Sequence, residues 1–295
     1  MNELYELFCR CLPFAVREET HARALLAAEE NAVFTERNKE GTLLGAAVVH
    51  KNNILLLGVE EACRGQGIGS RLLEKAEAHI RAAGFDSITV GAGEDYLVPG
   101  VPGRSPAVKS DGLPAAAAER LGDGAVAFFE KRGYTNSWGC CCFDMRMDMA
   151  DFILLPPMDG VIFRWAEKKD MPGVLVCTDD ACEEFTRYYR NEALYTGESR
   201  QRVLIAEENG SVVGTLIVSF ETEAPGLGSV GCTTVRSDRQ GNGIATHMVN
   251  VGTQKLKEAG ISRAFLGYTY TGLDKMYGAS GYHICCHYFM AQKTF

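Results

Sequence analysis

The sequence predicts an α/β fold that is built twice, as two tandem domains that each hold a mixed central sheet flanked by helices. A segment that reads as a strand, a glycine-rich turn and a helix occurs twice, with Gly67 and Gly243 at corresponding places. The same offset of 176 residues maps Val59 onto Val235. The length of 295 residues also suits two domains, at roughly 100–200 residues per domain.

The elements of the first copy follow from hydrophobic periodicity and from turn residues. The helix after its glycine turn is apolar at Ile68, Leu72 and Leu73, the spacing of one buried helix face, and Gly84 ends it. Asn-Lys-Glu-Gly at 38–41 predicts a hairpin turn. The predicted elements, in order, are helices at about 3–12 and 18–29, strands at 31–37, 41–50 and 55–59, a helix at 67–83 and a strand at 86–92.

The second copy repeats this order. Its hairpin turn is Glu-Glu-Asn-Gly at 207–210, its main helix is predicted at about 243–259, and the next strand at 261–268. It begins with a strand at 161–165 that the first copy lacks. The second copy is therefore predicted to have one more strand at the edge of its sheet.

The domain boundary is predicted at a proline pair. Pro156-Pro157 interrupts both helix and strand, so the surrounding residues read as a linker. We therefore expect an N-terminal domain at 1–154 and a C-terminal domain at 155–295.

The copies differ in length after their fifth strand. Gly133 corresponds to Gly281, an offset of 148 residues instead of 176, so the first copy holds 28 extra residues within about 93–124. Loops this long in compact domains are usually functional or disordered. Because Tyr96-Leu97-Val98 near its start are apolar, we expect an ordered lid or substrate wall.

The glycine-rich turns are suited to binding an anion. The first N–H groups of a helix have no internal partner, and the helix dipole places partial positive charge there. Glycines let the backbone approach a phosphate closely. Arg64 and Gln240 offer one further donor each, while the hydroxyls of Ser70 and Thr246 can cap the helix or bond the ligand. The turns lack the Lys-Ser/Thr of a nucleoside triphosphate loop and the spacing of the dinucleotide fingerprint.

At these residues the chain resembles a known family. The pattern Val-x-x-x-x-Arg/Gln-x-x-Gly-x-Gly/Ala, present in both copies, is similar to the acetyl-coenzyme A binding motif of the Gcn-related N-acetyltransferases (GNAT). A second family motif, Leu-Tyr-x-x-x-Gly-Phe/Tyr, is matched in part at 128–134 and at 276–282. The resemblance covers nearly the whole chain, so the protein is identified as a tandem GNAT protein with two acyl-coenzyme A N-acyltransferase domains.

The resemblance implies acetyl-coenzyme A as cosubstrate, no metal, and a turn in each copy that grips the pyrophosphate of coenzyme A. The implied binding residues are Val59, Arg64, Gly65, Gln66, Gly67, Ile68, Gly69 and Ser70 in the first copy, and Thr233, Val235, Gln240, Gly241, Asn242, Gly243, Ile244, Ala245 and Thr246 in the second.

The resemblance also implies a catalytic acid. In the family, the tyrosine of the second motif protonates the departing thiolate, and the second copy keeps it as Tyr277. The first copy has Phe129, which has no proton to give, so we expect the chemistry in the second copy. Tyr96 or Tyr134 could act in the first copy instead.

No motif in this sequence identifies the general base. Candidates are water or a carboxylate of the segment that precedes the second strand of copy two, namely Asp180, Glu183 or Glu184. Tyr268 and Tyr270 alternate on the strand beside the expected acetyl site and are predicted to shape the amine pocket.

Composition and charge exclude several classes of function. A net charge of −8 argues against a nucleic-acid partner, which would require clustered Lys and Arg. No apolar run reaches the ~18 residues of a membrane span, and the acidic N-terminus is unlike a signal peptide, so we expect a cytoplasmic protein. The cysteine count of 11 is odd and the chain is long, which favours reduced thiols over a disulfide scaffold.

A metal site is not predicted. His283, Cys285 and His287 alternate on one strand and could suggest zinc, but no fourth ligand is near in sequence, so packing is favoured.

The predicted function is transfer of acetyl from acetyl-coenzyme A to a primary amine of a small molecule, with the chemistry in the C-terminal domain. Two alternatives remain: a non-catalytic or regulatory acyl-coenzyme A binding protein, and catalysis in the N-terminal domain. Thiol release from acetyl-coenzyme A with a panel of amines distinguishes the enzyme from the binding protein.

Overall fold

The fold is described from a computed structural model that covers residues 2–15, 17–91, 93, 96–103, 124–138, 140–222 and 226–295. Contacts divide the chain into two compact units. The first contains Met1–Phe143 and Cys286–Phe295, and the second contains Asp144–Cys285.

The first part of the chain alternates strands and helices as predicted. Its elements are α1 (Asn2–Cys11), α2 (Glu19–Ala27), β1 (Ala32–Arg37), β2 (Leu43–His50), β3 (Asn53–Val59), α3 (Ile68–Ala82), β4 (Ser87–Val90), β5 (Val101–Pro102), α4 (Gly124–Glu130), β6 (Thr135–Asn136) and β7 (Cys142–Asp148).

The second part repeats the arrangement with an added first strand. Its elements are β8 (Ile162–Trp165), α5 (Met171–Tyr189), β9 (Gln201–Glu208), β10 (Ser211–Ser219), β11 (Leu227–Val235), α6 (Ile244–Glu258), β12 (Arg263–Tyr270), α7 (Asp274–Gly278), β13 (His283–Phe289) and β14 (Ala291–Thr294).

Both sheets are mixed, which confirms the predicted fold class. One has the strand order β1-β2-β3-β4-β14-β6, and the other β5-β13-β7-β12-β11-β10-β9-β8. In each, an antiparallel meander (β1–β3, or β8–β11) leads through a helix to a parallel neighbour, β4 or β12.

The last strand of the chain pairs with strands of the first part, across the boundary that the proline pair predicts. The final strand, β14, pairs with β4 through Gln292 opposite Thr89 and with β6 through Ala291 opposite Asn136. The division into units therefore assigns the last ten residues to the first unit, and it begins the second unit at Asp144 instead of 155. Pairing across such a distance in sequence leaves no mark in local periodicity, which is why the linker gave a different boundary.

Hydrophobic packing positions the helices that carry the glycine turns. On α3 the buried residues are Ile68, Leu72, Leu73, Ala76 and Ile80, the face that the sequence predicted. The beginning of the inserted segment is also packed: Leu97 joins a buried cluster with Phe8 of α1. Residues 104–123, the larger part of the predicted lid, lie outside the described residues.

Three further observations concern expectations from composition. In the part of the chain that the structure describes, no helix is long and apolar enough to cross a membrane. Within those same residues, no group of three or more His, Cys, Asp or Glu side chains could hold a metal ion. All eleven cysteines are free thiols.

Candidate functional site

The two glycine turns have the same backbone geometry. In the first, Gly65 and Gly67 adopt φ of +76° and +77°, and in the second, Gly241 and Gly243 both adopt +78°. Positive φ is a conformation that side chains with a Cβ resist, so all four positions require glycine. A Cβ at Gly65 or Gly241 would meet no atom within 4 Å. These glycines therefore serve backbone conformation and open access, and not tight packing.

A side chain ties each turn to the end of the preceding strand. The Nε of Arg64 donates to the carbonyl of Val59 at 3.1 Å, and the Nε2 of Gln240 donates to the carbonyl of Val235 at 3.0 Å. The predicted role of these two side chains was donation to an anion. In the structure, at least one donor group of each side chain bonds the end of the preceding strand.

Two other predicted binding side chains fold back onto the turns. Gln66 donates to the carbonyl of Ala62 at 3.4 Å, and Asn242 donates to the carbonyls of Arg239 and Gln240. Such local bonds satisfy turn carbonyls and stiffen the loop. The backbone, more than these amides, is thus presented to a ligand.

The first residues of α3 and α6 differ in what surrounds them. Ile68 and Ile244 are buried and anchor the helix to its sheet. Neither helix is capped by a side chain, so Ser70 and Thr246 are not caps. Thr246 is half-buried in the first turn of α6.

In the first copy this region is crowded and carries a cation. The ring of Phe128 lies 3.6 Å from the position that a Cβ on Gly69 would take. The guanidinium of Arg132 stacks on that ring at 3.8 Å from its centroid and donates to the hydroxyl of Ser70 at 2.6 Å. A positive charge therefore stands at the start of α3.

The second copy has other residues at the two corresponding positions. The residues that correspond to Phe128 and Arg132 are Met276 and Ser280. Ser280 is fully buried, and its hydroxyl accepts a hydrogen bond from Asn250 at 3.0 Å. Position 280 is thus used for packing inside the domain. In the first turn of α6, Ala245 stands at the position that corresponds to Gly69.

The strand that leads into the second turn holds a β-bulge with a positive φ. Thr215 of β10 is opposite Thr234, whereas Ile217 is opposite Gly231, so β11 holds one extra residue between these pairs. Within it, Cys232 adopts a φ of +50°. For a residue with a side chain, this conformation costs roughly 1–2 kcal/mol and persists only where neighbours enforce it.

Beyond the bulge, β11 and β12 part. Their parallel pairing covers Leu227–Gly228 and Arg263–Ala264, while β11 continues to Val235 and β12 to Tyr270. Two buried hydroxyl oxygens on these strands, Oγ1 of Thr233 and Oγ1 of Thr269, make no hydrogen bond of normal geometry in the described structure. Orphaned polar atoms in a buried setting are costly unless a ligand satisfies them.

Tyr277 lies beside this opening. It is 5% exposed, and its phenol interacts electrostatically with Thr233 and Cys232 of β11 and with Tyr270 at the end of β12. Burial raises the pKa of Tyr277 to about 12, and the Thr233 hydroxyl opposes that shift without reaching normal hydrogen-bond geometry. The phenol is therefore protonated at neutral pH and, within the described chain, has no conventional hydrogen-bond partner to hold its proton.

The first copy lacks this combination. Phe129 is buried against Tyr134, with ring centroids 5.1 Å apart. The Tyr134 hydroxyl donates to Glu77 at 3.0 Å, and burial raises its pKa well above the usual range. The β2–β3 pairing also slips by one residue, with Leu55 unpaired between Leu56 and Ile54, but no residue of β3 adopts a positive φ. Of the tyrosines considered for the first copy, Tyr134 is thus committed to a structural bond.

The candidate general bases lie at different places. Asp180 accepts from the backbone N–H of Ser237 at 2.6 Å and from its hydroxyl at 3.0 Å, so its carboxylate holds the short turn before Gln240. Glu183 and Glu184 are exposed. Tyr270, at the end of β12, is 44% exposed, while the backbone N–H of Tyr268 donates to the buried Asp144 at 2.9 Å.

The residues that suggested zinc belong to separate interactions. Arg146 donates to His283 at 3.3 Å, and Cys285 donates to the carbonyl of Asp144. His287 lies 3.8 Å from the sulfur of Cys141.

Sequence reasoning missed three participants. Tyr189 is fully buried, and its hydroxyl donates to the carbonyl of Cys232 at 2.6 Å. Thr269 and Arg132 were also unassigned. Threonine within a strand that is otherwise buried was an available signal, since polar side chains at such positions need partners. Tyr189 and Arg132 gave none, because their roles depend on tertiary contacts.

The buried tyrosines lead to a prediction about alkaline pH. Burial raises the pKa of Tyr195 and of Tyr277 to about 12, and it shifts the pKa of Tyr189 and Tyr282 higher still. An unfolded tyrosine titrates near ~10. The neutral phenols therefore stabilise the folded state fully below pH ~10, and this contribution is lost as pH rises through the folded pKa. We expect the free energy of unfolding to fall steeply above pH ~10, as measured by urea denaturation. If all eleven tyrosines gave phenolate absorbance near pH 10 in the folded protein, the described burial would be wrong.

Comparison with known proteins agrees with this geometry. The sequence profile described as "Acetyltransferase (GNAT) family" matches residues 1–97 and 164–282, which together are most of the chain. The class defined by two mixed sheets with glycine-turn helices is thus an acetyltransferase fold present twice. The chain belongs to the acetyltransferase (GNAT) family. A search among curated protein sequences finds no relative.

Solved structures show the same fold at low identity. A GCN5-related glucosamine N-acetyltransferase region of a fungal multi-domain beta-N-acetylglucosaminidase is 18% identical with a TM-score of 0.72, over 99% of this chain and 36% of that one. A GCN5-related N-acetyltransferase from Sphaerobacter thermophilus is 17% identical, TM-score 0.70, over 99% and 91%. A tandem GNAT protein from the clavulanic acid biosynthesis pathway is 14% identical, TM-score 0.66, over 99% and 94%. The chain thus spans about a third of the first of these proteins and nearly all of the other two.

Proposed function

We propose that the protein is an N-acetyltransferase that moves acetyl from acetyl-coenzyme A to a primary amine of a small molecule, with the chemistry in the second copy. The observation that carries this proposal is the position of the Tyr277 hydroxyl, which lies beside the bulge and near the unpaired Oγ1 of Thr233. The first copy has the buried Phe129 at the corresponding position. The opening between β11 and β12 is the place for the acetyl group, and the turn at 240–243 is the place for the pyrophosphate.

The chemical step requires a neutral amine and a proton for the leaving sulfur. The amine nitrogen attacks the thioester carbonyl, the C–S bond breaks, and the thiolate takes the proton of Tyr277. The sulfur becomes basic enough to take this proton only as the C–S bond breaks, since a free thiol titrates near ~8.5. The phenolate then regains a proton from water. A Lys-like amine of pKa ~10.4 is neutral in roughly one molecule in 2,500 at pH 7, a handicap of about 4.6 kcal/mol.

The deprotonation of the amine falls to water or to an exposed carboxylate. Asp180 already accepts two hydrogen bonds from Ser237, which leaves Glu183 and Glu184 as the free-standing carboxylates of α5 among the three candidates. A water relay to solvent fits the half-exposed Tyr270 at the mouth. We therefore assign no fixed base and expect the rate to rise with pH as the amine loses its proton.

We further propose that the first copy binds coenzyme A without turning it over. Its turn has the same positive φ values as the second, and Arg132 adds a cation at the start of α3. Phe129 removes the proton donor. A turn that can bind coenzyme A, together with a missing proton donor, suits a regulatory or stabilising role of bound coenzyme A in this copy.

The test is amine-dependent release of coenzyme A. Purified protein is mixed with acetyl-coenzyme A and a panel of primary amines, free thiol is followed by a colorimetric reagent, and the acetylated product is identified by mass. We expect at least one amine to accelerate thiol release well above the amine-free rate. Tight binding of acetyl-coenzyme A with no acceleration by any amine in a broad metabolite extract would favour the binding-protein alternative.

A further inference from the structure

The bulge in β11 needs a device that holds it. Cys232 keeps a positive φ although it has a side chain, and the register of β10 and β11 slips by one residue at this place. In the first copy β3 also holds one extra residue, Leu55, against β2, but no residue of β3 adopts a positive φ. Something in the second copy therefore stabilises the irregular form.

The carbonyl of Cys232 has a specific partner. The hydroxyl of Tyr189, the last residue of α5, donates to it at 2.6 Å. Tyr189 is fully buried, and burial raises its pKa well above the usual value, so the hydroxyl keeps its proton and can only serve as a donor to this oxygen. The backbone of Tyr189 is held in turn, because Tyr195 donates to its carbonyl at 2.8 Å.

Orientation of this one carbonyl controls the neighbouring group on the reacting side. In a trans peptide, the C=O and the following N–H point in opposite directions. The bond from Tyr189 to the carbonyl of Cys232 therefore fixes the direction of the Thr233 N–H. It also fixes the placement of the Thr233 side chain, which acts on the phenol of Tyr277.

A second bond closes the bulge on its other side. The hydroxyls of Thr215 and Thr234, which are opposite each other in the register, lie 2.6 Å apart. This pair joins the strands beside the extra residue, and it is formed between the two side-chain hydroxyls without the peptide between Cys232 and Thr233. Only Tyr189 contacts that peptide through a hydrogen bond from a side chain in the described structure.

We infer that Tyr189 is a positioning residue for acetyl transfer: its hydroxyl holds the Cys232–Thr233 peptide in the orientation that places Thr233 beside Tyr277. The inference rests on the proposed function, with the second copy as the catalytic one. It adds a residue outside the glycine turn and outside the second motif, and it accounts for the positive φ of Cys232, which no residue of β3 shares.

Tyr189→Phe tests this inference because it removes one oxygen and almost no volume. We expect kcat to fall roughly 10- to 100-fold, the usual effect of a small misplacement of reacting groups, with little change in the Kd of coenzyme A at the distant glycine turn. Tyr282→Phe is the matched control, since it removes a buried tyrosine hydroxyl that pairs with Thr253 of α6 at 3.1 Å and does not contact the bulge. We expect it to lower Tm to a similar extent and to leave kcat within about threefold.

Rescue separates positioning from a general loss of stability. Glycine adopts positive φ without strain, so Cys232→Gly should make the bulge independent of Tyr189. We expect Tyr189→Phe to lower kcat, on a logarithmic scale, by less than half as much in the Cys232→Gly background as it does in the original protein. An equal loss in the two backgrounds would overturn the inference.

A crystal structure of Tyr189→Phe decides the matter without any assay of activity. We expect φ at Cys232 to become negative and the β10–β11 register to become regular. A bulge that remains at positive φ would overturn the inference whatever the kinetics show. If the original protein releases no coenzyme A with any amine, the proposed function fails, and this crystallographic result still decides whether Tyr189 holds the bulge.

Discussion

Replacing Tyr277 by phenylalanine is expected to lower turnover by roughly 10²–10³-fold, the scale on which a positioned acid contributes. In free energy this is about 2.7–4.1 kcal/mol of transition-state stabilisation. The reason lies in the position of the phenol, beside the bulge and the opening between β11 and β12, with its pKa raised to about 12 by burial. Steady-state release of coenzyme A measures the loss. Calorimetric affinity for coenzyme A and Tm should hardly change, because phenylalanine fills the same buried space.

Tyr282→Phe is the matched control for this experiment. Tyr282 is equally buried, its ring lies 5.9 Å from that of Tyr277, and its hydroxyl pairs with Thr253 at 3.1 Å inside the domain. Since that hydroxyl is directed to α6, its loss should reduce stability and leave turnover within about threefold. Equal losses of turnover in the two variants would mean that Tyr277 supports packing and does not act as the acid. Unchanged turnover in Tyr277→Phe would move the acid elsewhere.

Placing a carboxylate in a glycine turn is expected to abolish binding at that turn. Gly241→Glu puts a negative group where the N–H groups of α6 would receive a phosphate, and the space around Gly241 is open enough to hold the side chain. We expect the stoichiometry of acetyl-coenzyme A binding, measured by calorimetry, to fall by one molecule per chain. Gly65→Glu should abolish binding of acetyl-coenzyme A to the first copy in the same way, because Gly65 has nearly the same φ as Gly241 and equally open surroundings.

Glycines at the far ends of the same helices provide controls for backbone strain. Gly260 follows α6 with a φ of +81°, and Gly84 follows α3 with +86°, both with no atom within 4 Å of an added Cβ. Glutamate at either position carries the same cost of positive φ, roughly 1–2 kcal/mol, without entering an anion site. Gly260→Glu and Gly84→Glu should therefore lower Tm and keep both equivalents. Loss of binding in these controls would show that strain alone, and not the added charge, explains the turn variants.

Local pattern was sufficient to predict the elements and the glycine turns of this fold. The helix predicted at 67–83 is Ile68–Ala82, and the one predicted at 243–259 is Ile244–Glu258. Apolar residues at helical spacing and a glycine at each end define such a helix without help from distant residues. The partner of β14 could not be predicted this way, because its pairing with β4 joins the last residues of the chain to a strand about 200 residues earlier.

The site was predictable only where it depends on motif residues. Tyr277 and Thr233 were both singled out by resemblance, and the structure places their side chains close together. The bulge was not predictable, because Cys232 adopts positive φ with neither glycine nor asparagine at that position. The carbonyl of Cys232 accepts a hydrogen bond from Tyr189, which lies 43 residues earlier in the chain. Arg64 and Gln240 were identified by motif, but that they bond the end of the strand became visible only in the structure.

The central claim, that the second copy carries out acetyl transfer while the first only binds, is tested most directly by the turnover of the two turn variants. Amine-dependent release of coenzyme A is measured for Gly65→Glu and Gly241→Glu at saturating amine, beside Gly84→Glu and Gly260→Glu. We expect Gly241→Glu to lose nearly all turnover and Gly65→Glu to keep most of it, with both controls active. Loss of turnover in Gly65→Glu with full activity in Gly241→Glu would place the chemistry in the first copy and contradict this account.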